Sequence, residues 1–161
     1  MASKRPKVAG FLPARMASSR FPGKPLADIH GMSMVEHCWR RGRLCAALDE
    51  LYIATCDEEI RRAVEGFGAK VIMTGSHHKR CLDRIAEAAS KVDCDVAVIL
   101  QGDEPMAVPE MLDEAVAPLL AHPERRCVPL IPRLPTVEQF NDPNSLKLIV
   151  DRQGRLKNQS R

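Results

Sequence analysis

A chain of 161 residues with 45% apolar side chains can fill one hydrophobic core but not two generous ones, so a single domain over residues 1–161 is expected. A net charge of +3 and only 4% aromatic residues give neither the basic surface nor the stacking platforms of a nucleic-acid binder, so no nucleic-acid partner is expected. Six cysteines without a C-x-x-C pair, no signal-peptide core before Val8 and no apolar run of spanning length argue against a disulfide framework, a structural zinc and a membrane partner; reduced thiols in a cytoplasmic protein are expected.

Val8 to Leu12 is short and nearly continuously apolar, which suits a strand buried on both faces. A helix is predicted from about Ser33 to Leu48, with Met34, Val35, Cys38 and Trp39 on its core face, followed by a strand over Leu51–Thr55. In "CDEEIRRAVEGFGAK", Asp57 is an N-cap candidate, two glutamates favour the helix start, and Gly66 or Gly68 closes the helix. Lys70–Thr74 reads as a third strand, "CLDRIAEAASKV" as a third helix and "DVAVILQ" as a fourth strand. Pro109 suits a first helical turn, so "PEMLDEAVAPLLAH" is predicted helical, kinked or ended near Pro118. "CVPLIPR" and "SLKLIVD" look like later strands, the second turning at Arg152–Gly154.

Strands alternating with helices at this spacing imply an α/β fold with a mostly parallel sheet, and such sheets bind ligands beyond the carboxyl ends of their strands. Two loops fall there. The first, "LPARMASSRFPGKP", lies in a stretch where Lys4, Arg5, Lys7, Arg15, Arg20 and Lys24 all precede the first acidic residue, Asp28. It matches neither G-x-G-x-x-G nor the Walker pattern, because Pro25 stands where a helix-starting hydroxyl would help to hold magnesium. Its small residues still allow close backbone approach, and Arg15, Arg20 and Lys24 could neutralise a triphosphate and the charge growing on departing pyrophosphate. The alternative is an ordinary surface loop whose cations keep it soluble. The second loop, "QGDEP", sets Asp103 and Glu104 after a buried strand. A carboxylate there can hold Mg²⁺ beside a phosphate, or merely cap the next turn.

Together "LPARMASSRFPGKPLADIHGMSMVEH", "YIATCDEEIRRAVEGFGAKVIMT", "DRIAEA", "VILQGDEPM" and "DPNSLKLIVDRQGRLKNQSR" resemble the cytidylyltransferases that activate acidic sugars, above all the 3-deoxy-manno-octulosonate (Kdo) cytidylyltransferase family, over Val8 to Arg161. The resemblance implies a three-layer α/β/α nucleotide-diphospho-sugar transferase fold. It also implies transfer of CMP from CTP to an acidic sugar with release of pyrophosphate, Mg²⁺ as cofactor and a place in lipopolysaccharide biosynthesis. Nucleotide contacts are implied at Leu12, Ala14, Arg15, Ser18, Ser19, Arg20, Lys24 and Arg84, and catalytic roles at Arg15, Lys24, Gln101 and Asp103, the last as the metal ligand.

Two departures qualify that expectation. Arg80, Cys81 and Leu82 stand where the family has Ser-Gly-Thr, which opens the acceptor to another ulosonate or a phosphonate, or the protein to a non-catalytic nucleotide-binding role. The family also continues beyond the last residues of this chain, into a part that supplies dimer contacts, much of the sugar site and a second metal-binding aspartate; the C-terminal part is expected to be missing, and a homodimer stays open. Lys147 either reaches toward substrate or alternates outward along a strand. For His77 and His78 the metal reading is the weaker one, because neighbours on a chain rarely face one site and spacing places no third ligand. Cys38, Cys45 and Cys56 read as packing residues rather than nucleophiles.

Overall fold

The architecture is given by a computed structural model that describes residues 5–17, 21–130 and 136–160. The chain forms two compact units, Met1–Val128 and Pro129–Arg161.

The first unit is built on a four-stranded parallel sheet. Its strands are β1 (Val8–Pro13), β4 (Glu50–Thr55), β5 (Lys70–Met73) and β6 (Val96–Ile99), in the spatial order β5-β4-β1-β6. β1 is central and covered on both faces, which is why it carries no polar side chain. Val8 and Leu12 join a cluster with Val35, Cys38 and Trp39 of α1 (Met34–Gly42), Ile60 and Val64 of α2 (Glu58–Glu65), and Leu112 and Val116 of α4 (Pro109–Ala121). Ala9 and Phe11, pointing the other way, pack with Ile85 and Ala88 of α3 (Cys81–Ala89). The period-two alternation of one strand thus divides two helical layers, and the three-layer α/β/α arrangement follows. Between them Gly10 leaves room for Leu48 and Leu51, whose methyls would lie 2.7 and 2.8 Å from any Cβ there.

Helix α1 starts at Ser33, whose hydroxyl accepts from the Glu36 N–H, and ends at Gly42 rather than near Leu48 as predicted. Tertiary contacts override the helical pattern. The Asp113 carboxylate on α4 accepts from the Ala47 N–H at 2.8 Å and the Cys45 thiol at 3.0 Å, holding that segment in a turn. Helix α4 runs through Pro118 to Ala121, so of the expected kink or end near Pro118 the end does not occur. A small hairpin, β2 (Asp28–Ile29) with β3 (Met32–Ser33), was not anticipated. Its turn places His30 and Gly31 at φ 52° and 84°, the left-handed pair that a tight hairpin needs, and the His37 ring bonds the Ile29 carbonyl at 2.8 Å.

The second unit holds α5 (Val137–Asn141) and an antiparallel hairpin of β7 (Lys147–Val150) and β8 (Leu156–Ser160), turning through Arg152–Gly154 as expected. Of "CVPLIPR", residues 127–130 are not strand, because no neighbouring strand pairs with them; residues 131–133 lie outside the described residues. Among the described residues no helix is long and apolar enough to cross a membrane.

Candidate functional site

Parallel strands deliver their loops to one rim, and β1 and β6 are direct neighbours. The loops that follow them therefore emerge side by side. The first leaves Pro13 with its backbone tied down: Ala14 N–H donates to the Ala54 carbonyl at 3.0 Å and Met16 N–H to the Asp57 carboxylate at 2.8 Å. Gly23, at φ 72°, closes the loop by donating to the Met16 carbonyl at 3.1 Å, and a 3₁₀ turn over Lys24–Leu26 follows. Asp57 stands at the N-cap position of α2 as expected, but makes no side-chain cap bond. Its carboxylate braces the loop instead.

The second loop is pressed against the first. Leu100 N–H donates to the Phe11 carbonyl at 3.1 Å, and a Cβ at Gly102 would lie 2.5 Å from the Pro13 carbonyl oxygen. Only glycine lets the two backbones come this close. A turn from Gln101 to Glu104 then presents Asp103, whose carboxylate accepts from the Lys24 ammonium at 2.7 Å. The Arg41 Nε–H holds the far side of the loop through the Ala107 carbonyl at 2.9 Å. Burial, and secondarily the charge of Asp103, push the Glu104 carboxyl above its ordinary range. The Cys38 thiol beneath is pushed up to about 11, mainly by burial, so it stays protonated and is no nucleophile.

Lys24 and Asp103 remain 34% and 49% exposed, and an ion pair this open contributes only about 0–1 kcal/mol. Both charges can be surrendered to a ligand at little cost. The rim thus offers an ammonium for phosphate oxygens and a carboxylate for a hard cation, with exposed Arg15 on the same loop.

The other expected residues are placed less uniformly. Leu12 and Ala14 are buried in the core, so they can offer a nucleotide only backbone. Gln101 is half-buried. Ser18, Ser19 and Arg20 lie outside the described residues. Arg84 is buried between the ends of β4 and β5, where its guanidinium donates to the Thr74 hydroxyl and to Cys56 Sγ, the latter at 3.4 Å. Lys147, in the second unit, donates to the Asp142 carbonyl at 2.6 Å. Two features escaped sequence reasoning. Asp57 reads as a cap from its position alone, and Glu87 joins His77 and His78 only because the segment after β5 folds back on α3.

Comparisons with known proteins identify the family. Residues 9–161 match the family model described as cytidylyltransferase. A 3-deoxy-manno-octulosonate cytidylyltransferase of Geobacter metallireducens is 43% identical over 148 residues, 92% of this chain and 58% of that protein. An 8-amino-3,8-dideoxy-manno-octulosonate cytidylyltransferase of Shewanella halifaxensis is 42% identical, over 89% of this chain and 60% of that protein. Among solved structures, CMP:2-keto-3-deoxy-manno-octonic acid synthetase complexed with CTP superposes with a TM-score of 0.86 at 33% identity, covering 96% of this chain and 64% of that one. The chain thus spans about three-fifths of the length of the curated relatives it matches. With its strand-end loops joined at one rim and the family match running from β1 to its last residue, the chain belongs to the cytidylyltransferase family of nucleotidyltransferases.

Proposed function

We propose that the protein transfers CMP from CTP to an acidic sugar, with 3-deoxy-manno-octulosonate the leading acceptor, and that Mg²⁺ is its cofactor. The observation that carries this reading is the Lys24–Asp103 contact, which sets an ammonium suited to phosphate oxygens beside a carboxylate suited to a hard cation. Asp103 suits Mg²⁺ because it is a half-exposed carboxylate, and that ion takes one or two carboxylates together with phosphate oxygens and water. When bound, the ion supplies charge neutralisation on the triphosphate.

In the transfer, the sugar's anomeric oxygen bonds to the α-phosphorus, the bond from that phosphorus to the bridging oxygen breaks, pyrophosphate departs and the hydroxyl proton passes to solvent. Arg15 and Lys24 hold phosphate oxygens and stabilise charge on the leaving group, while Gln101 orients the acceptor. The loop backbone that carries Arg15 and Lys24 is braced by Asp57 and closed by Gly23. The solved relative complexed with CTP supports the nucleotide, and the named curated relatives support the acceptor class.

A second acceptor reading, another ulosonate, rests on Arg80, Cys81 and Leu82, with identity to the 8-amino relative near-equal to that of the Kdo relatives. Six free cysteines fit a reducing cytoplasm, and a homodimer belongs to the same proposal. Calorimetry with CTP and Mg²⁺, then pyrophosphate release with each ulosonate, tests the reading. Asp103→Asn should keep the fold and lower turnover by about 10²-fold or more. Wild-type turnover in that variant removes Asp103 from the site, and absence of CTP binding by the unaltered chain removes the activity.

A further inference from the structure

Between β5 and α3 the segment Gly75–His78 makes an arrangement to which the proposed transfer assigns no role. His77 and His78 follow one another, yet their rings lie together, with centroids 4.1 Å apart. Glu87 of α3 stands beside them, its carboxylate in hydrogen-bond contact with His78 Nε2. One ligand atom from each of the three residues falls within 4.8 Å of the other two, the one such group found among the described residues. We propose that His77, His78 and Glu87 form a site for Zn²⁺, separate from the carboxylate of Asp103.

The first support is how the loop is built. The His77 ring folds back over Gly75 so tightly that a Cβ there would lie 2.3 Å from His77 Cε1 and 2.5 Å from Nδ1, with the Glu87 carboxylate at 3.4 Å. Gly75 is not at positive φ, so space rather than backbone conformation makes glycine the residue that fits. An exposed imidazole would otherwise be free to turn into water, and here it is seated toward a carboxylate.

The second support is how that carboxylate is held. Gly75 N–H donates to Oε2 at 2.9 Å and Lys91 to Oε1 at 2.7 Å, and such outer partners fix the direction of a metal-binding carboxylate. Two imidazoles and one carboxylate are the donor set of open zinc sites, with bonds of about 2.0–2.2 Å. Mg²⁺ prefers an all-oxygen shell and has little use for it. Donor chemistry therefore keeps the two sites distinct. His77 is exposed, which leaves a fourth position to water.

In this arrangement the His78–Glu87 hydrogen bond spans the place the ion would take, and Zn²⁺ would replace the shared hydrogen, which passes to solvent or to the other ring nitrogen. The ion would then tie the loop after β5 to α3, three residues beyond buried Arg84.

The test uses the full chain, stripped with chelator and kept reduced. Titration with Zn²⁺ should give one site per chain with micromolar or tighter affinity, weakened at least tenfold by His77→Ala and by Glu87→Gln and unchanged by Asp103→Asn. Co²⁺ should give visible absorption from nitrogen and oxygen donors, without the near-ultraviolet thiolate band that binding at the cysteines would produce. His77 is exposed, so its variant should fold normally and report on binding alone. No stoichiometric binding, binding that survives both variants, or a thiolate band would each overturn the site.

Discussion

Adding a methyl group at Gly102 is the most direct way to test whether apposition of the two loops creates the site. A Cβ there would stand 2.5 Å from the Pro13 carbonyl oxygen, about 1 Å inside ordinary contact. The obstacle is backbone at the end of β1, where Pro13 pairs with Ala54 of β4, so it cannot turn aside as a side chain would. The loop carrying Asp103 has to move instead. Gly102 is not at positive φ, so alanine brings no conformational penalty of its own. Overpacking of this kind costs about 1–3 kcal/mol, which for a domain of this size lowers Tm by roughly 4–12 °C. A shift near 1 Å in Asp103 should also cost about 10²-fold in turnover, because catalytic positioning is lost with small displacements. Circular dichroism melts of Gly102→Ala read the first effect and pyrophosphate release the second, with calorimetry for CTP and Mg²⁺ reporting any change in affinity. Wild-type melting together with wild-type affinity would refute the close approach of the two loops.

Two further outcomes follow from contacts around the rim. Asp57→Ala removes the acceptor for Met16 N–H but no helix cap bond, so stability should fall by about 1–2 kcal/mol; amide exchange at Met16 should accelerate about tenfold or more, and Asp57→Asn, which keeps an acceptor oxygen, should fall between. Unchanged exchange at Met16 in the alanine variant would show that the carboxylate does not brace the loop. Among the cysteines, exposed Cys81 and Cys127 should be alkylated in the native chain at pH 8, while Cys38 and Cys45 should not, as peptide mapping will show. Burial raises both buried thiols from 9.0 to about 11, and the Asp113 contact adds to the shift at Cys45. The native state thus holds these protons more tightly than the unfolded chain, and that share of stability is complete below pH 9 and drains away as pH rises toward about 11. Rapid labelling of Cys38 at pH 8 would contradict its burial.

The alternating layers were legible because apolar runs of four to six residues, separated by amphipathic segments, have few ways to bury themselves other than as parallel strands with crossover helices. Element ends were less legible where a distant side chain competes with local preference. Asp113 captures the backbone at Ala47 and stops the pattern of α1 early, while Pro118 passes within α4. The hairpin at Asp28–Ser33 was overlooked because its strands are two residues long and carry little periodicity. At the site, charge and residue type singled out Arg15, Arg20, Lys24 and Asp103, whereas Asp57 looked like a cap and Glu87 carried no signal of its own.

By itself, then, the order of amino acids determined which segments become the four parallel strands, that their loops share one rim, and which charged side chains those loops carry. Only the tertiary structure decided that β6 lies directly against β1, that Gly102 lets the loops touch and that Asp57 turns from helix to loop. It also decided that two neighbouring histidines meet a glutamate nine residues further on. The reason is that periodicity and propensity are local, while adjacency in a sheet and the seating of a side chain depend on which distant surfaces are brought within a few ångströms of each other.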